Sequence, residues 1–160
     1  GTIGFAAAVH DVGMTLVARE LRGRRGPLTE EQRSELRRHV ELGDDVLGEV
    51  EAMSAVREIV LAHHEWWDGS GYPCGLKEQE IPVGARILAV IDAYESMTQG
   101  RAHRPPTSRQ AALNEIVRLA GRQFDPDVVE VFDRAMPRLL AEAVEPTPNR
   151  PEARATNAGR

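Results

Sequence analysis

The 160-residue chain has a single cysteine, Cys74, and so cannot form an internal disulfide. That excludes a stapled secreted fold and suits a reducing compartment, the cytoplasm. Aromatics are scarce at 4%, and three of the seven, Trp66, Trp67 and Tyr72, crowd into one short stretch. No apolar run approaches the ~20 residues of a membrane span, and the first residues lack the basic-then-apolar pattern of a signal peptide. With a formal charge of -5, the chain has no basic surplus to expect DNA binding from, so an anionic ligand would need local help. A chain opening on Gly1 reads as an excised or processed piece.

What remains is enough for one domain with a core, since 41% of residues are hydrophobic. Thr29 and Gln32 form a capping box that opens a helix whose inward positions are Leu36, Val40, Gly43 and Leu47, with His39 on the same stripe. A second helix is expected from about Ser54 to Trp66, its apolar face Met53, Val56, Ile59 and Val60 extended by His63. "DGSGYPCG" then breaks the helix with three glycines and a proline. The run around Ile87–Ile91 reads as a helix buried nearly all round, with Asp92 inside it. Thr107 with Gln110 repeats the capping-box pattern before Leu113, Ile116, Val117 and Ala120. Asp125-Pro126 opens a last helix carrying Val128, Val131, Phe132 and Ala135. The expected fold is all-α, one compact bundle of about five to seven helices over residues 1–144. The proline-rich segment 145–160 reads as a disordered tail.

Four of the five histidines lie on or beside these inward faces, and Asp11 and Asp92 interrupt apolar runs on other segments. Singly, each has an ordinary explanation: His39 as a hydrogen-bonded core histidine, His10-Asp11 as a helix end, Asp92 as the partner of a buried arginine such as Arg86. Together they favour a metal, because ionised carboxylates in apolar helices need a cation and neutral imidazole is a common ligand of zinc and iron. Cys74, a thiol in a loop, is the weakest candidate.

The segments "HDVG", His39, "HHEWWDGSGYP", "IPVGARILAVIDAY", "GRAHR" and "QFDP" occur in an order that resembles the HD-GYP family of bacterial metal-dependent phosphodiesterases, across roughly His10 to Phe132. The resemblance implies an HD-type helical bundle and hydrolysis of cyclic di-GMP to the linear dinucleotide or GMP. It implies two divalent metal ions held by His10, Asp11, His39, His63, His64 and Asp92, with Asp11 bridging and catalytic. Iron or manganese suits such a set, and zinc is compatible with the same ligands. The resemblance places a motif loop on Gly71, Tyr72 and Pro73, facing a partner such as a diguanylate cyclase, sensory or receiver domain. It places substrate phosphate on Arg101 and Arg104, which otherwise read as a solvated charge pair. The lysine that commonly follows the HD pair is Met14 here, which implies lowered activity. The alternative implied is a module that keeps the fold and binds metal, cyclic di-GMP or a signalling partner without turnover. The family also sets a further helix before the HD motif, and only nine residues precede His10, so a third metal is not inferred.

Overall fold

A computed structural model describes residues 1–22, 24, 26–100 and 105–144. Arg101, Arg104 and the 145–160 segment lie outside the described residues. Eight α-helices and no strand occur among those described: α1 Thr2–Val9, α2 Arg19–Arg22, α3 Glu30–Arg37, α4 His39–Gly48, α5 Ser54–Ala62, α6 Val83–Gln99, α7 Arg109–Arg118 and α8 Pro126–Val144. The single turn α2 aside, seven helices make the all-α bundle expected. No helix among the described residues is long and apolar enough to cross a membrane.

The capping box forms as its spacing predicts, with Thr29 Oγ1 accepting from the Gln32 N–H and Gln32 Oε1 accepting from the Thr29 N–H. The helix it opens does not run on through the stripe. It stops at Arg38 and restarts as α4 at His39, so one expected helix is two. The expected 54–66 helix is likewise shorter, ending at Ala62 so that His63 and His64 begin a turn.

α1, α5 and the first half of α6 share one core through Ala6, Val56, Ile59, Val60, Ala85 and Leu88. Val90, Ile116, Phe124 and Val129 form a second where α6 meets α7 and α8. Each fully buried branched side chain of this kind contributes roughly 2 kcal/mol. α4 and α5 are tied at their solvent side by Arg57, whose Nε and Nη2 donate to the two oxygens of Asp44 at 2.8 and 3.0 Å.

Several expectations for the C-terminal half are corrected. Ser108, not Thr107, caps α7 by accepting from the Ala111 N–H, because the Thr107 hydroxyl is spent on the Met97 carbonyl. Val117 and Val131 are exposed, and α8 buries Val129 and Met136 instead of the stripe Val128, Val131, Phe132 and Ala135. That stripe lines an open apolar groove with Ile87 and Ile91, which are half-buried, so α6 is not enclosed all round.

Candidate metal centre

Three histidines each stand just after a helix, and each ring is fixed by the same device. His10 Nδ1 lies 2.8 Å from the Ala7 carbonyl, His39 Nδ1 2.8 Å from the Leu36 carbonyl, and His63 Nδ1 2.6 Å from the Val60 carbonyl. A carbonyl can only accept, so each Nδ1 carries a proton, and a ring in its neutral form leaves a lone pair on Nε2. The carbonyls belong to the last turns of α1, α3 and α5, where the helical ladder leaves acceptors unused. Stopping α3 at Arg38 and α5 at Ala62 therefore supplies the second partner that orients a metal-binding imidazole.

The freed nitrogens converge. His63, 1% exposed, lies at the centre with its ring centroid 5.2 Å from that of His10, 5.5 Å from His39 and 4.0 Å from His64. Asp11 offers one oxygen to each side, Oδ2 at 3.5 Å from His10 Nε2 and Oδ1 at 3.4 Å from His39 Nε2. Asp92, from the middle of α6, places Oδ1 3.7 Å from His10 Nε2. Two overlapping sets have donor atoms mutually within 4.8 Å, namely His39, His63 and His64, and His10, Asp11 and His63. All six residues singled out by sequence are thus brought together.

Glycine makes the approach geometrically feasible. A Cβ on Gly13 would overlap the His39 carbonyl and the Gly43 amide, so only glycine lets the Asp11 segment lie against the start of α4.

Electrostatically the cluster is unfinished by the protein alone. His39 Nε2 and His63 Nε2 are buried with no hydrogen-bond partner, a costly state that a cation would relieve. Burial holds the His63 pKa down at about 4 and that of His64 at about 2, so both rings are neutral ligands at pH 7. His10 goes the other way, raised to about 9 chiefly by the Asp92 carboxylate. Imidazole nitrogens with paired carboxylates are a donor set that fits divalent iron, manganese or zinc. Arg86 is engaged elsewhere: its Nη1 donates to Asp125 Oδ2 at 2.7 Å, and its Nε to the Ile81 carbonyl.

The motif loop is anchored. Glu65, 3% exposed, accepts on Oε1 from the Cys74 and Gly75 N–H groups at 2.6 and 3.0 Å, while Trp67 and Asp68 donate N–H to the Gln123 and Arg122 carbonyls. Gly71 lies so close to Trp66 that a Cβ would overlap its amide. The Tyr72 ring rests on His64 with centroids 5.0 Å apart, the Tyr72–Pro73 peptide is cis, and Cys74 is exposed. Glu65 was missed by sequence reasoning; its one signal was a carboxylate directly after the double histidine. Two cavities flank the cluster and share His64 and Asp92. One, about 420 Å³, is walled by Trp66, Met97, Leu119, Gln123 and Phe124. The other, about 470 Å³, is walled by Asp11, Met14, Arg33, Arg37, His39 and Tyr72.

Imidazoles and aspartates focused on one point of an all-helical bundle, between two cavities, make the kind of site in which helical bundles hold metals. The chain belongs to the HD domain family, whose model matches residues 2–128. It is 39% identical over 132 residues to a cyclic di-GMP phosphodiesterase of Thermotoga maritima, a match covering 81% of this chain and 36% of the relative. It is 34% identical over 139 residues to the cyclic di-GMP phosphodiesterase response regulator RpfG of Xanthomonas campestris, covering 86% and 37%. These relatives support the HD-GYP branch that the sequence motifs resemble. A solved cyclic GMP-AMP-specific phosphodiesterase of Vibrio cholerae shares the fold, with a TM-score of 0.68 at 21% identity over 90% of this chain and 40% of that one. The chain spans about a third of the length of the curated relatives it matches.

Proposed function

We propose that this domain hydrolyses cyclic di-GMP, giving the linear dinucleotide or GMP, with two divalent ions of iron or manganese held by His10, Asp11, His39, His63, His64 and Asp92. The observation that carries the reading is the placement of Asp11, whose two oxygens face histidines of different donor sets, so that this one carboxylate could help hold both ions. Metal ions bound there supply Lewis acidity toward the phosphodiester and lower the pKa of water. The chain's own residues do the rest. Burial keeps the His63 and His64 lone pairs available at neutral pH, Asp11 and Asp92 offset cationic charge, and Tyr72 covers one face of His64. Arg101 and Arg104 complete the proposal as phosphate contacts, and we place the domain in the cytoplasm, where lone Cys74 stays a thiol.

Support for the substrate comes from the relatives' names, most of which specify cyclic di-GMP, with cyclic GMP-AMP as the competitor. The test is direct. Manganese- or iron-loaded protein is incubated with either dinucleotide and the products are separated by chromatography. Faster conversion of cyclic di-GMP supports the reading, and no product from either overturns it.

A second reading is favoured by Met14, an uncharged side chain on the wall of the cavity that holds Asp11. In it the domain binds metal and cyclic di-GMP, or a diguanylate cyclase, sensory or receiver domain at the exposed side of the motif loop, without turnover. Binding with no product would select it.

A further inference from the structure

We propose that Arg37 is a phosphate anchor for an anionic cyclic dinucleotide in the open cavity beside Asp11. The inference rests on the substrate class proposed above. The chain is net negative at -5, and this cavity also contains Asp11 and Asp92, so a doubly charged phosphodiester ring needs a local cation to settle there. Among the described residues that line the two cavities, Arg33 and Arg37 are the cations, and both are on the Asp11 side.

The two arginines are not equivalent. Arg33 Nε is bonded to Glu30 at 3.1 Å, whereas Arg37 Nη1 lies 3.9 Å from the same carboxylate, beyond hydrogen-bond reach. The Arg37 guanidinium instead sits 5.2 Å over the Tyr72 ring, and Tyr72 rests on His64. Arg37, Tyr72 and His64, linked by these two contacts, line the same cavity, so a planar five-donor fork stands on its wall. Stacking restricts the long side chain before a ligand arrives, and the fork matches a phosphate bidentately. Arg37 is half exposed, and its contact with Glu30, at 3.9 Å, is too long to occupy a donor. The adjacent Arg38 is paired with Glu35 at 3.0 Å and lines neither cavity, which makes it the charge-matched control.

The experiment is equilibrium binding of the non-hydrolysed bis-phosphorothioate analogue of cyclic di-GMP to manganese-loaded wild-type, Arg37→Ala, Arg37→Lys and Arg38→Ala proteins, with metal per chain measured on each. Arg37→Ala is expected to weaken binding about tenfold or more, Arg37→Lys to recover part of that loss, and Arg38→Ala to bind as wild type, all at unchanged metal content. Equal weakening by Arg37→Ala and Arg38→Ala would reduce the effect to net charge and overturn the anchor, as would wild-type affinity in Arg37→Ala. The hydrolysis reading stands or falls separately. Arg37-dependent binding without product from cyclic di-GMP keeps the anchor and removes the enzyme, and product formation indifferent to Arg37 keeps the enzyme and removes the anchor. Absence of any nucleotide binding by the wild type removes both.

Discussion

Arg86 with Asp125 and the histidine–aspartate cluster both set polar groups in apolar surroundings, yet only one is closed. Asp125 accepts from Arg86 on one oxygen and from the Asp127 N–H on the other, and Arg86 Nε finds the Ile81 carbonyl. Both Asp125 oxygens and the Arg86 Nε and Nη1 have protein partners, which marks a structural pair joining the start of α6 to the start of α8. In the cluster the same accounting fails at His39 Nε2 and His63 Nε2. Burial of polar groups is therefore not itself the signature of a site; an unfinished set of lone pairs aimed at one point is.

The contrast is broken most sharply by deleting one carboxylate from each. Asp11→Ala is expected to lower kcat/KM for cyclic di-GMP about 10⁴-fold or more and to abolish metal uptake. Asp11 is exposed, so the same variant should leave the unfolding free energy of metal-stripped protein within about 0.5 kcal/mol. Asp125→Ala should do the reverse. It strands a partly buried guanidinium and costs about 3 kcal/mol in denaturant unfolding, while metal per folded chain holds. A smaller effect sharpens the comparison: manganese at a hundred times its Kd should stabilise the wild type by about 2.7 kcal/mol and leave Asp11→Ala unmoved, read as melting shifts.

A further effect is in pH. His63 and His64 have folded pKa values below the unfolded 6.5, so the unfolded chain binds more protons between those values, and metal-free stability falls as pH drops from about 6.5 toward 4. His10, raised to about 9, contributes stability that is full below 6.5 and lost as pH rises through 9. Metal-free protein should then be most stable near pH 6.5 in an unfolding series. Metal binding at pH 7 should release a proton from His10, measurable as buffer-dependent heat.

How far the sequence carried these readings depended on whether the signal was local. The Thr29 capping box is complete within four residues and formed as read. The same pattern at Thr107 misled, because a carbonyl ten residues back took the hydroxyl and Ser108 stood ready as a cap. The α8 stripe misled because an amphipathic pattern is the same whether its apolar face meets a core or an open groove. The six cluster residues were legible as chemically odd occupants of apolar faces. Their shared orientation was not, since it depends on where α3 and α5 stop, and the sequence placed both ends too late. Glu65 stayed hidden for a related reason: its partners, Cys74 and Gly75, become neighbours only when the loop folds back.

The central claim is that cations complete the set of lone pairs that the helix ends leave open. Iron, manganese and zinc should be counted per chain in anaerobically purified wild-type and Asp11→Ala protein. The account predicts roughly two ions in the wild type and a clear loss in the variant; a wild type that stays empty after loading, or a variant that retains the full complement, would contradict it.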